Sequence, residues 1–169
     1  YKVTGSDEEP LPQGSPIQPI QSGDTADILG NDALLVGGTA WAFSREALAG
    51  RFDYLVIDEA GQFSLANAVA VGLSTRNLIL VGDQMQLAQV TQGHHPGDTG
   101  RSCLEYFLDG QATISSDRGV FLDASRRMHP DLCRFVSDAV YEGRLGSIPE
   151  TSRHRVLRAS DTALVPKET

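Results

Sequence analysis

A chain of 169 residues with 40% hydrophobic side chains can bury one sizeable core, or one lobe and part of a second. Its net charge of −8 speaks against a nucleic-acid grip spread over the whole surface, but the charge is uneven: residues 1–112 carry five basic and fourteen acidic side chains, residues 113–169 nine and eight. Cys103 and Cys133 form neither a disulfide framework nor a C-x-x-C metal site, and no apolar run approaches the length of a membrane span, so an intracellular, cytoplasmic protein with no membrane partner is expected. The start at Tyr1, without an initiator Met or the regions of a signal peptide, suggests a fragment.

Residues 1–32 hold Pro10, Pro12, Pro16 and Pro19 among Gly, Ser, Gln and acids, and show no period that buries a face, which predicts a loop or an ordered insertion. Ala33-Leu34-Leu35-Val36, closed by Gly37-Gly38, predicts a buried strand and turn, with a short helix over 40–48. Two more apolar runs follow, Tyr54-Leu55-Val56-Ile57 ending in Asp58-Glu59 and Leu78-Ile79-Leu80-Val81 ending in Gly82-Asp83, with a helical stretch over 65–73 between them. Apolar runs without alternation, separated by helices, predict an α/β chain with a parallel sheet covered on both faces. Ligands of such sheets bind beyond the carboxyl ends of the strands, where Asp58, Glu59 and Asp83 fall. A loop over 92–100 leads to a helix over 101–108, and residues 110–119 read as a linker between lobes. Val120-Phe121-Leu122 then predicts a strand, and the helix after Pro130 places Leu132, Phe135, Val136 and Val140 on one face. The polar tail over 150–169 carries no legible role. The domain reading is thus 1–32 loop-rich, 33–112 the later part of one lobe, and 113–169 the start of another.

Asp58-Glu59 at a strand end has the form of a Walker B element, in which one carboxylate holds a nucleotide-bound magnesium and the other orients and deprotonates the attacking water. An acid pair that merely caps a strand has the same appearance. Gly82-Asp83 with Gln86 is a second strand-end cluster, whose Gln offers a donor and an acceptor to a phosphate or a water, as many polar turns do. Arg127 lies beyond a strand at the start of the second lobe, where an arginine can reach a transferring phosphoryl group or pair with Asp123 or Asp131 at the surface. His94, His95, His129 and His154 have no thiol or carboxylate at zinc-site offsets, which predicts no metal ligation by them. Trp41 and Phe43 either stack on a base or lie beneath a strand–helix turn, and burial is the expectation.

Taken together, Asp58-Glu59-Ala60-Gly61-Gln62, Val81-Gly82-Asp83-Gln84-Met85-Gln86-Leu87, and Arg127-Met128-His129-Pro130 with Phe135-Val136-Ser137 and Tyr141-Glu142-Gly143-Arg144-Leu145 resemble motifs II, III and IV of superfamily 1 helicases, in family order and spacing. The branch they most resemble contains the nonsense-mediated-decay helicase and the DNA replication helicase-nucleases, and within it the bacterial helicases fused to RecB-like nucleases. The resemblance spans residues 33–146. It implies a P-loop NTPase fold, with the later half of one RecA-like lobe followed by the start of a second, and ATP and magnesium (Mg2+) as cofactors. Single-stranded DNA or RNA is the implied partner, and a RecB-like nuclease domain elsewhere in the parent a further one.

By the same resemblance Asp58 holds magnesium, Glu59 activates water, Asp83 and Gln86 contact the nucleotide with Gln86 sensing its terminal phosphate, Arg127 is the arginine finger, and Thr39 in Gly37-Gly38-Thr39 touches the nucleic-acid backbone. Three departures stand out. Arg126 replaces the aromatic residue that usually precedes the motif IV arginine, leaving the finger between Arg126 and Arg127, with Met-His-Pro favouring Arg127. Leu87-Ala88-Gln89 replaces Leu-x-Pro. No G-x-x-x-x-G-K-S/T loop is present in these 169 residues, so the chain alone is expected not to hydrolyse ATP. The rival reading is a truncated or decayed motor domain that serves as a non-catalytic binding or scaffolding module.

Overall fold

A computed structural model describes residues 2–4, 12–21, 35–87 and 96–155. The chain forms two compact units, Tyr1–Gly110 and Gln111–Thr169.

In the first unit, strand β1 (Lys2–Thr4) pairs in parallel with β2 (Pro19–Gln21), so the Pro-rich start holds a short sheet where no strand period is legible. The expected strand over 33–36 is not formed among the described residues: Leu35 is 80% exposed, Val36 is unassigned, and 33 and 34 lie outside them. Helix α1 (Ala40–Phe43) is a single turn, followed by a 3-10 turn at Glu46–Leu48 instead of one helix over 40–48. Strands β3 (Phe52–Ile57) and β4 (Thr75–Leu80) lie in parallel, with Tyr54 opposite Asn77 and Val56 opposite Ile79. Helix α2 (Leu65–Gly72) makes the crossover between them, with Ser64 as its N-cap accepting from the Asn67 amide at 3.2 Å. Helix α3 (Cys103–Leu108) is capped in the same way by Ser102.

Of these two parallel strands only β3 buries side chains among the described residues, and those on one face, while Leu78 and Ile79 of β4 are both exposed, which corrects the expectation of full burial. Leu55 and Ile57 are buried with Leu48, Ala68 and Val71, whereas Tyr54, Val56 and Ile79 are exposed. Because side chains alternate across a strand, a continuous apolar run supplies both faces whether or not both are covered.

In the second unit, β5 (Ala124–Ser125) pairs in parallel with β6 (Gly146–Ser147), and helix α4 (Pro130–Val140) lies between them in sequence. The strand falls four residues beyond Val120, and both Val120 and Leu122 are more than three-quarters exposed. The buried stripe of α4 is Cys133 and Ser137, while Leu132 and Phe135 stay exposed, so the helix is turned from the expected face. Its packing partner is backbone. The Leu145 amide donates to the Ser137 hydroxyl at 2.9 Å and the Gly143 amide to the Ser137 carbonyl at 3.0 Å, and only small side chains let the chain approach that closely. Arg144 closes the unit: its guanidinium donates to the Thr113 hydroxyl at 2.6 Å and the Ile114 carbonyl at 3.0 Å, and lies 4.6 Å from the centre of the Phe121 ring. Thr113 in turn donates to Glu142.

Candidate functional site

Asp58 is the first residue beyond β3, and Asp83 lies three residues beyond β4. The parallel ladder does not stop where the strands do. The Val81 amide donates to the Ile57 carbonyl at 2.9 Å and the Ala60 amide to the Val81 carbonyl at 2.8 Å, so the two strand-end loops are tied backbone to backbone. Two glycines permit this. A Cβ on Gly82 would meet the Ala60 nitrogen at 2.6 Å, and one on Gly61 would collide with the Asp83 carbonyl oxygen. Composition alone showed a glycine in each loop; that the pair lets the loops cross was legible only in three dimensions.

Within this frame the acids are held by local hydrogen bonds. Asp58 Oδ1 accepts from the Glu59 amide at 3.0 Å. Glu59 takes a left-handed backbone conformation, φ 52° and ψ 42°, which turns the chain sharply into the 3-10 turn Ala60–Gln62 and leaves its side chain exposed. Asp83 Oδ1 accepts from the Met85 amide at 2.9 Å and Oδ2 from the Gln86 side-chain amide at 3.0 Å. Asp58, Glu59, Asp83 and Gln86 are therefore brought to the carboxyl end of one parallel strand pair. Behind them, the Cys103 amide donates to the Phe63 carbonyl at 2.7 Å and the Leu65 amide to the Arg101 carbonyl at 2.9 Å, anchoring the segment after Glu59.

Carboxylate oxygens are the donors a hard divalent cation takes, and magnesium is typically held by one or two protein carboxylates with phosphate and water completing its shell. Asp58 and Asp83 are the carboxylates that follow the two strands. No cluster of three or more His, Cys, Asp or Glu suited to a metal occurs among the described residues. His129 instead caps α4, its Nδ1 accepting from the Asp131 amide at 3.2 Å, and His154 Nδ1 lies 3.2 Å from the Arg127 carbonyl; His94 and His95 lie outside the described residues.

Thr39 is exposed at the N-cap of α1 and its hydroxyl makes no capping bond. Of the two nearby aromatics, Phe43 is buried, edge-on to Phe52 with ring centres 5.5 Å apart, as expected. Trp41 is 84% exposed, which corrects the expected burial: one helical turn sends neighbouring side chains to different sides, and Phe43 takes the inner one.

In the second unit, Arg126 and Arg127 are both exposed in the bend after β5. Neither guanidinium forms an ion pair among the described residues, and Asp131 pairs with Arg134 and His129 instead. The Ser125 hydroxyl accepts from the Met128 amide at 3.2 Å and the Arg127 amide at 3.4 Å, fixing the bend that carries both arginines. A serine just before a bend of polar residues was the available signal for it.

A parallel strand pair with paired acids at its carboxyl end, joined by a crossover helix, fits an α/β RecA-like fold. Sequence comparison gives the same class: an AAA domain model matches residues 17–92. Over 116 residues the chain is 30% identical to the DNA polymerase alpha-associated DNA helicase A of Schizosaccharomyces pombe, a match covering 69% of this chain and 17% of the helicase. It is 32% identical to the DNA-binding protein SMUBP-2 of Rattus norvegicus, over 61% of this chain and 10% of that protein. It is 34% identical to a regulator of nonsense transcripts 1 homolog of Drosophila melanogaster, over 56% and 8% respectively. These similarities support a place among the superfamily 1 helicases. The chain spans less than a fifth of the length of the curated relatives it matches.

Proposed function

We propose that this chain is part of the motor of an ATP-dependent helicase that moves on single-stranded nucleic acid, DNA being the favoured strand. The observation that carries the reading is the tying of Asp58-Glu59 to Asp83-Gln86 across two adjacent parallel strand ends, in a chain similar to helicases.

In this reading Asp58 and Asp83 hold the magnesium that accompanies ATP, and the metal neutralises charge on the phosphates when bound. Glu59 orients the attacking water and takes its proton, a role its exposed carboxylate, with no hydrogen bond among the described residues, leaves it free to fill. Gln86, held by Asp83, presents its amide to the terminal phosphate. Arg127 neutralises charge on the transferring phosphoryl group, an effect on the order of 10³–10⁵ in rate. Thr39 contacts the nucleic-acid backbone. The phosphate-binding loop is supplied by other sequence, so these 169 residues alone are inactive toward ATP. A RecB-like nuclease domain in the same polypeptide extends the proposal, and magnesium-dependent degradation of single strands by the full-length protein tests it.

The decisive experiment measures ATP hydrolysis by the full-length protein with and without a thymidine oligonucleotide. Stimulated turnover is expected, with Glu59→Gln lowering it by several powers of ten while nucleotide binding persists. Unchanged turnover in Glu59→Gln rejects the assignment.

A further inference from the structure

Trp41 is the chain's single tryptophan and one of its most exposed apolar side chains, at 84%. It borders a cavity of about 120 Å³ lined by Ala40, Ser44, Asn67, Ala70 and Val71, with α1 on one side and α2 on the other. The walls combine small apolar groups with hydrogen-bonding ones. Ser44 Oγ donates to the Trp41 carbonyl at 3.3 Å. The Asn67 side-chain amide has no partner among the described residues and keeps both a donor and acceptors available. Thr39, two residues before the indole, adds a hydroxyl with no hydrogen bond among the described residues.

Charge narrows the occupant. The chain as a whole is strongly acidic, but residues 35–51 carry Arg45 and Arg51 against Glu46 alone, and α2 carries no charge at all. Arg45 is exposed four residues after Trp41 and forms no ion pair among the described residues. An exposed aromatic face, a small slot with an amide donor and acceptor, and a nearby free cation match a base and its phosphate. An apolar protein surface would leave Asn67, Thr39 and Arg45 desolvated without partners.

We propose that Trp41 is a stacking platform for one unpaired nucleobase of a single strand, with the Asn67 amide at the base edge and Arg45 near the phosphate. The inference rests on the nucleic-acid reading above and names a contact within it. Stacking tolerates any base, so little sequence preference follows.

Because Trp41 is the chain's sole indole, its emission reports the contact directly. Titrating the 169-residue chain with single-stranded thymidine and adenosine oligonucleotides should quench the fluorescence with both, and duplex of equal length should quench it far less. In the full-length protein, Trp41→Ala should weaken binding of a fluorescein-labelled oligonucleotide by about five-fold or more, and Trp41→Phe should restore most of it. The melting temperature of Trp41→Ala should stay near the parent value, since the ring is exposed, which separates lost stacking from lost folding. Unquenched emission, or equal affinity of Trp41→Ala and the parent, overturns the inference. Oligonucleotide-stimulated, Glu59-dependent ATPase activity of the full-length protein then tells whether the helicase reading stands without it.

Discussion

Glu59 combines two demands at one position. A left-handed backbone costs a residue with a Cβ about 1–2 kcal/mol, and glycine escapes most of that. Glutamate at φ 52° therefore puts stability into an exposed carboxylate at the turn. Glu59→Gly should raise the unfolding free energy by up to about 1 kcal/mol in urea denaturation, because the side chain is exposed, while removing the proposed base. A lower stability in that variant would show that the turn depends on the glutamate side chain. The two cysteines make the opposite case. Both thiols are buried, which shields them from reagents in the folded chain, and burial pushes the Cys103 thiol above its ordinary value. Iodoacetamide at pH 8 should label neither thiol in the native protein and both in urea; rapid native labelling would contradict the packing around α3 and α4.

At the scale of elements, the positions that decide the structure are places where backbone meets backbone. Gly61→Ala forces a methyl onto the Asp83 carbonyl, and Gly82→Ala forces one onto the amides of Ala60 and Gly61. Each should destabilise the first unit by about 2 kcal/mol or more in thermal or urea melts, since a backbone neighbour cannot swing aside as a side chain can. Neutral substitutions at both would refute the crossing of the two loops. The second unit relies on Ser137 in the same way. Its hydroxyl is the partner of the Leu145 amide, and Ser137→Ala leaves that amide without one, at a cost of about 1–2 kcal/mol readable as a lower urea midpoint at unchanged slope. Arg144→Ala removes two hydrogen bonds and a cation–aromatic contact from the 113–121 segment and should act in the same direction.

For the molecule as a whole, the acidic balance and the proposed grip on a polyanion are reconciled by locality. A strand held by a few contacts, one of them at Arg45, needs no basic face, and its affinity should fall only shallowly with salt. Oligonucleotide binding by this chain, measured between about 50 and 200 mM salt, should therefore show a small slope in log affinity against log salt, about 0.7 for each phosphate neutralised on a single strand. A steep slope would point to a basic surface outside the residues described here.

The amino-acid sequence by itself determined β3, β4 and the acids that follow them, because a parallel strand is written as a local apolar run and its polar ending is adjacent in the chain. It determined the start of α4 as well, through Pro130 and Asp131 in the first turn. Tertiary structure alone decided which face each element buries. The stripe of α4 is Cys133 and Ser137 because a returning backbone segment packs there, and hydropathy does not register backbone as a partner. The same holds for Trp41 and Phe43, equally apolar in sequence and two residues apart, of which only Phe43 meets Phe52. The pairing of β1 with β2 joins segments whose own composition favours loops. Local composition states what a residue can do. Its neighbours in space, supplied by segments far along the chain, determine whether it is covered, tied down or left free to bind.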